Sequence, residues 1–455
     1  MIRFYDSSLG KVETPQGTMT LSKVFLPFFL EMFLMNLMST VNTFTLSFYS
    51  DEAVAAVGAA GQFMGMIITF YTVISTGASI VISQNIGAGK LKSASDAAFC
   101  ALTVSAVLSF LISNLLGFAA RPLMSLMNIH GEVLDYAASY FGICIRFSFL
   151  QSVTSVSSAI FKSCGRPKIS VSVSLGMNCI NALLNYLVIF RPIEIPLHGV
   201  TGIACSYAIS TACAAVTMLI LLAKVPLGLD FRHKSWQSFR MIRKVLRIGI
   251  PGGVSSLSYS ISQVVTTSII ALVGVSAVSA KIYVSNLVFY VYVFGMSLGL
   301  STSLMIGWLT GAGKYEQAYR LNLQNLRITI ILNGTLSLLL FLFGRPLLGI
   351  FTSDPEILAM GQSLLLIDIL VEIFRGFNHI EENSLRGSGD VVFPMVVSMI
   401  SCWTMSVLFS YLLGVRLGLG LAGCWIAFAM DEAFRGINYL RRWRSRKWMR
   451  KTQVG

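Results

Sequence analysis

Charge is what this sequence has least of. Asp, Glu, Lys and Arg make up 12% of its 455 residues, about half the share of a soluble domain. A soluble chain of this length could not cover its surface with so few charges. The scarcity excludes an ordinary cytosolic enzyme. With 55% hydrophobic residues it also excludes a disordered chain, which needs the opposite balance. Paired cysteines are missing as well. Cys100, Cys144, Cys164, Cys179, Cys205, Cys213, Cys402 and Cys424 contain no CxxC, and all lie in or beside apolar runs. They read as buried thiols, neither a disulfide framework nor a zinc site. The histidines His130, His198, His233 and His379 are scattered, and no HExxH occurs. No catalytic residue, metal or cofactor is expected.

A nucleotide loop is also absent. GAGK occurs twice, at Gly87–Lys90 and Gly311–Lys314. A Walker loop needs a glycine five positions before its last one and Ser or Thr after the lysine. Gln84 and Leu91 stand there in the first copy, Trp308 and Tyr315 in the second. Both copies read instead as a helix end, a glycine turn and a basic loop, so ATP is not the energy source. A cleaved leader is not expected either. About twenty polar residues precede the first apolar run, and that run is itself long enough to span a membrane.

What is present is a series of apolar runs. A spanning helix needs about 20 largely apolar residues. Twelve candidates cover 22–48, 54–86, 95–118, 132–162, 168–190, 199–223, 243–272, 276–311, 317–343, 356–385, 390–413 and 419–440. The net charge of +14 then reads as topology, not as a nucleic-acid surface. The N-terminus, the even-numbered loops and the tail hold 25 Lys and Arg. The odd-numbered loops hold Arg121, Arg191, Arg345 and Arg416. By the positive-inside rule both termini are cytoplasmic, in a multi-pass protein of the cell (inner or plasma) membrane. The basic tail, with Trp443 and Trp448, suits a lipid headgroup layer.

The halves repeat in one fixed register. Pro27 matches Pro251, Ala53-Val54 matches Ala277-Val278, and Gly87–Lys90 matches Gly311–Lys314. Arg121-Pro122-Leu123 matches Arg345-Pro346-Leu347, Glu132 matches Glu356, and Gly165 matches Gly389. Near the ends, after a short slip in register, Gly199 and Gly202 match Gly420 and Gly423. The expected fold is therefore all-α integral membrane, twelve transmembrane helices in two pseudo-symmetric six-helix lobes. The lobes cover 1–223 and 243–440, with a linker at 224–242 and a tail at 441–455. Duplicated bundles of this kind mark transporters with a site between the repeats.

Several segments carry a resemblance: Ala53 to Gly58, Gly77 to Gly89, Leu385 to Asp390, and Asp431 to Arg435 followed by Arg441, Arg442, Trp443 and Trp448. In order, and with the repeat, the chain resembles the MATE (multidrug and toxic compound extrusion) family of bacterial type along essentially its whole length. The resemblance implies a V-shaped pair of lobes and alternating access without ATP. It implies export of amphipathic, often cationic small molecules in exchange for H+ or Na+. Many bacterial members carry an Asp in the first helix; Asn42 stands at its position and cannot titrate. Sodium-type members carry acids in helices seven and ten, and span seven here has none.

An ionisable group at bilayer depth costs on the order of 3 kcal/mol, so those present need a reason. Asp368, Glu372 and Arg375 sit at i, i+4 and i+7 on one face of span ten, with Asn378 extending the stripe. Asp431 and Arg435 form an i, i+4 pair on span twelve, beside Glu432. Four acids against two arginines are too many for simple pairing. These six, with Glu31 in span one, are the candidate ion-coupling residues. The competing reading is a buried ion-pair network that fixes spans ten and twelve. Arg146 is a candidate partner for Glu31, or a cavity residue. Glu381 and Glu382 lie closer to the exit of span ten.

Polar stripes run along spans four, five and seven. Most of their serines suit helix packing. Asn42, Gln151, Asn181, Tyr259 and Gln263 are the candidate substrate-cavity residues. The 20 Met and 30 Phe fill cores and face lipid, and adaptable Met suits varied apolar ligands. The expected partners are an amphipathic small molecule and the bilayer, with no nucleic acid, in a monomer. A lipid-linked precursor flippase and an exporter of one dedicated metabolite are the alternatives. An intramembrane enzyme would need a nucleophile–base pair or metal cluster, and neither is found.

Overall fold

The computed structural model describes residues 8–14, 17–125, 130–190, 199–225, 227, 229, 239–452 and 454. Arg3, Arg191, His198, Arg232, His233, Lys234 and most of the expected linker lie outside the described residues. A short antiparallel hairpin, β1 (Lys11–Thr14) and β2 (Gly17–Thr20), precedes the first helix. The fold is thus not purely helical at its polar N-terminus.

The helices of the first lobe are α1 (Leu21–Ser47), α2 (Asp51–Gly87), α3 (Leu91–Phe118), the short α4 (Ala120–Ser125), α5 (Gly131–Ser163), α6 (Pro167–Phe190) and α7 (Gly199–Lys224). The second lobe has α8 (Phe239–Val273), α9 (Val275–Gly311), α10 (Tyr315–Leu342), the short α11 (Gly344–Leu348), α12 (Pro355–Ser388), α13 (Val392–Ser401) and α14 (Gly420–Arg444). α13 runs on through two π-helical stretches, Cys402–Leu408 and Ser410–Arg416, as one span. The repeat is visible to the residue. The starts of α9, α10, α11 and α12 follow those of α2, α3, α4 and α5 in the same register that relates Pro27 to Pro251. α14 follows α7 in the slipped register, Gly420 standing for Gly199.

Local chemistry sets the ends. Ser50 Oγ accepts from the Ala53 N–H at 3.1 Å to start α2. Asp354 caps α12, with Pro355 in its first turn. The two GAGK segments are turns. Gly89 and Gly313 take φ of +71° and +72°, and the Lys90 and Lys314 amides reach back to the carbonyls of Asn85 and Leu309 at 2.9 and 2.8 Å.

Eleven helices among the described residues are long and apolar enough to span. α14 is the twelfth long helix and falls short on composition, because it carries Asp431, Glu432, Arg435 and three terminal arginines. It is instead packed on α12. Side chains such as Leu115, Phe118, Leu272 and Val275 are exposed, as a lipid-facing wall requires.

Within the first lobe α5 packs on α2, α3 and α7; within the second α12 packs on α9, α10 and α14. Across the lobes α2 meets α8, and its repeat partner α9 meets α1. The lobes share one apolar core on the side of the GAGK turns, containing Ile82 and Ile86 of α2, Val245 of α8, and Trp308 of α9. On the opposite side each lobe has its own core, around Phe141 in the first and around Trp425 in the second.

The first glycine of each GAGK turn makes this junction possible. A Cβ at Gly87 would meet the Trp308 carbonyl, and one at Gly311 would meet the Gln84 carbonyl. Residues 84 and 308 are themselves repeat partners, so the interlock is symmetric. Gln84 also donates to the Gly387 carbonyl at 2.8 Å, and the Trp308 indole to the Ser163 carbonyl at 2.8 Å.

Two expectations need correction. Cys179 and Cys213 are exposed and Cys205 is half-buried, because they lie on outward helix faces; the other five cysteines are buried, and all eight are free. Trp443 and Trp448 do not lie at a lipid interface. They stack on each other at 4.0 Å and are fully buried. Arg446, at φ +59°, folds the tail back onto the helix ends, and its guanidinium meets Glu316 at 3.0 Å.

Candidate transport cavity and charge cluster

α12 and α14 cross so that their charged faces meet. Glu372 pairs with Arg375 one turn on. Arg375 also reaches Glu432 of α14 at 3.3 Å. Arg435 contacts Asp431 at 2.6 Å and Glu432 at 3.1 Å. Glu432 thus bridges two guanidiniums and receives Asn378 Nδ2 at 2.7 Å. Asp431 also accepts from Ser401 Oγ at 2.6 Å. Asp368 makes no ion pair among the described residues; the Trp425 indole donates to it at 3.0 Å. None of the four acids or Arg435 is more than 5% exposed. The structure therefore brings the six candidate charged residues of spans ten and twelve into one cluster, with two more carboxyls than guanidiniums.

All of the cluster but Glu372, which lies behind it, lines one wall of a cavity of about 710 Å³, a size suited to a drug-sized molecule. Tyr259 and Gln263 of α8 line it, as do Phe289 and Tyr292 of α9 and Thr69 and Thr72 of the other lobe's α2. The Arg435 guanidinium lies over the Tyr259 ring, 5.6 Å from its centroid. Trp425 and Phe428 meet edge to face at 5.2 Å to give the wall an apolar section.

The remaining candidates sit elsewhere. Asn42, Asn181 and Gln151 do not line this cavity. Asn42 and Asn181 belong to an amide ladder in the first lobe. Asn185 Nδ2 donates to Asn42 at 2.6 Å and to Asn181 at 3.2 Å, and Asn181 donates to Ser210 at 3.2 Å. Glu31 pairs with Lys162 at the end of α5, not with Arg146, and Ser158 donates to it at 3.4 Å. Lys162 also lies over the Phe28 ring at 4.5 Å. Arg146 is exposed and lies over Phe118 at 5.6 Å. The reason is helix rotation: position 146 points toward α3, whereas position 162 points toward α1.

Sequence reasoning passed over several cavity residues. Lys281, Trp425, His379 and the Glu382–Arg386 pair, 2.5 Å apart, all line it. The pair was legible as i, i+4 on α12. Lys281 sat in a span as a lone basic residue and was a signal that went unused. Glu381 lies off the cavity. It is fully buried, and Asn322 donates to it at 3.4 Å. No group of three or more His, Cys, Asp or Glu among the described residues is placed to hold a metal ion.

The duplicated architecture has its counterpart in known proteins. The MatE family pattern matches residues 27–187 and again 251–412, so the two matches begin at the repeat partners Pro27 and Pro251. The chain belongs to the MatE family. Uncharacterized transporter YisQ of Bacillus subtilis is 35% identical, over 95% of this chain and 96% of its own length. The probable multidrug resistance protein NorM of Thermotoga maritima is 26% identical, over 98% and 96%. A MOP superfamily transporter from Pyrococcus furiosus superposes with a TM-score of 0.86 at 20% identity, over 95% of this chain and 96% of that one. MatE proteins are multi-pass membrane carriers of small molecules, and this chain shares their fold along its length.

Proposed function

We propose that this MatE protein is a secondary antiporter that exports amphipathic small molecules in exchange for H+ or Na+. The observation that carries the reading is the excess of buried carboxyls in the α12–α14 cluster, which borders a drug-sized cavity through every member but Glu372. A buried carboxylate without a cation is costly. Asp368, Glu372, Asp431 and Glu432 outnumber Arg375 and Arg435, so the cluster has room for a proton or a sodium ion. The NorM relative is named as a probable multidrug resistance protein, which supports cargo of that kind.

The basic face, with its GAGK turns and tail, is cytoplasmic in this reading. The shared core then closes the inside, and the separate cores leave the cavity open to the outside. A proton or sodium ion enters from outside and binds the carboxyls of α12 and α14. Its different affinity for the two lobe arrangements shifts the equilibrium toward the inward-open one. Cargo then enters from the cytoplasm or inner leaflet, displaces the ion and reverses the shift. Four basic side chains line the cavity, as a pyrophosphate carrier would require. Three of them are already paired with acids, which favours the antiporter over a lipid-linked precursor flippase.

The test is efflux of a fluorescent cationic dye from vesicles, with proton and sodium gradients imposed separately. One gradient drives wild-type transport, and Glu372→Gln and Asp431→Asn lose it. If both variants keep full gradient-driven transport, the coupling role of this cluster is wrong.

A further inference from the structure

The cavity lining includes a cation that the charge cluster does not neutralise. Lys281 lies on α9, two turns from its start, and its ammonium donates to Thr267 Oγ1 at 2.5 Å. Among the described residues it makes no ion pair. Arg375, Arg386 and Arg435, the other basic groups in the lining, each hold at least one carboxylate. The fold does not require a cation there, because the repeat partner of Lys281 on α2 is Val57. An unpaired ammonium at membrane depth is costly and persists where it meets water or a ligand.

Asp368 is the complementary case. It is the cavity-lining carboxyl without an ion pair among the described residues, held by the Trp425 indole at 3.0 Å. A cation and a carboxyl that both lack an ionic partner among the described residues therefore line the same space. The Trp425–Phe428 surface gives that space an aromatic wall.

We propose that Lys281 is a binding residue for an anionic oxygen group on the cargo, and that the preferred cargo is a zwitterionic aromatic amphiphile, not a simple organic cation. In this arrangement Lys281 receives the carboxylate-type group. Asp368 receives the positive end, and the aromatic wall takes the planar body. Cargo and coupling ion then compete at Asp368, so the proposal rests on the cavity being the transport site.

The test is binding of two dyes to purified full-length protein, followed by fluorescence polarisation. Tetramethylrhodamine carries a free carboxylate beside its cationic ring system; its methyl ester lacks the carboxylate and is a simple cation. Wild type binds the free acid about tenfold more tightly than the ester. Lys281→Met abolishes that preference by weakening the acid alone, and Lys281→Arg restores most of it. Thermal unfolding of both variants beside wild type checks that they fold. Equal wild-type affinity for the two dyes, or equal weakening of both by Lys281→Met, overturns the subsite. If wild type binds neither dye, the cavity is not the cargo site, and the reading beneath the proposal falls with it.

Discussion

Asp368, Glu372 and Arg375 of α12 have repeat partners on α5, and these are Cys144, Ser148 and Gln151. Asp431 and Glu432 of α14 correspond, in the slipped register, to Ser210 and Thr211 of α7. The two lobes place their helices at the same repeat positions, yet one fills these places with charge and the other with neutral groups. In the first lobe Ser148 bonds to Tyr71 at 3.1 Å, and Ser210 receives Asn181 at 3.2 Å. Its polar interior, the Asn42–Asn185–Asn181 ladder included, is held by neutral hydrogen bonds. Glu31 and Lys162 form a separate pair near the junction with α5's end. The six-helix fold therefore does not need the charges of the second lobe. Burying them is costly, and their retention there points to work that neutral groups cannot do.

Arg435→Met is the harshest way to press this comparison. It leaves Asp431 and Glu432 short of a partner and is expected to cost about 3–5 kcal/mol, read as a large fall in thermal midpoint. Asn185→Ala in the first lobe removes neutral bonds and is expected to cost about 1–3 kcal/mol. Equal losses would break the contrast. The interlocking glycines come next, and here the lobes should behave alike. Gly87→Ala and Gly311→Ala each force a Cβ against backbone. Each is expected to weaken the closed junction by about 1–3 kcal/mol, seen as a matching change in spin-label distances across the basic face. A marked difference between the two would show that the junction is not symmetric.

Asn42→Ala is expected to cost about 1 kcal/mol and to leave the choice of coupling ion unchanged in vesicle transport. Loss of ion dependence in that variant would move the coupling site to the first lobe. The smallest effect belongs to the exposed Arg121–Asp135 pair, 2.9 Å apart with side chains 70% and 60% exposed. Arg121→Ala is expected to change stability by less than about 1 kcal/mol. A larger fall would mean the α4 segment supports the lobe more than its exposure suggests.

Much of the architecture was legible because its signals are local. Membrane transfer acts on each run of about 20 residues separately, so the spans could be counted from the chain. The expected bounds of α12, 356–385, lie within one turn of the observed Pro355–Ser388. α14 is extended by its charged last turn, which hydropathy ends early. The Glu372–Arg375 and Asp431–Arg435 pairs were legible because both partners sit on one helix, where spacing sets the face. The GAGK turns were legible as turns, but the role of Gly87 and Gly311 was not. That role depends on a backbone carbonyl in the opposite lobe, far away along the chain.

The sequence by itself determined the apolar spans, the duplication, the uneven distribution of basic residues and the charged faces of α12 and α14. The tertiary structure alone decided which faces meet. It joined Glu31 to Lys162 and not to Arg146, gave Asp368 to Trp425, drew Asn42 into an amide ladder, buried Trp443 against Trp448, and left Lys281 facing the cavity with no ion pair among the described residues. The physical reason is that sequence spacing reports neighbours within one helix. Contacts between helices depend on how each is rotated and crossed against the others, and that is settled by the packing of the whole bundle.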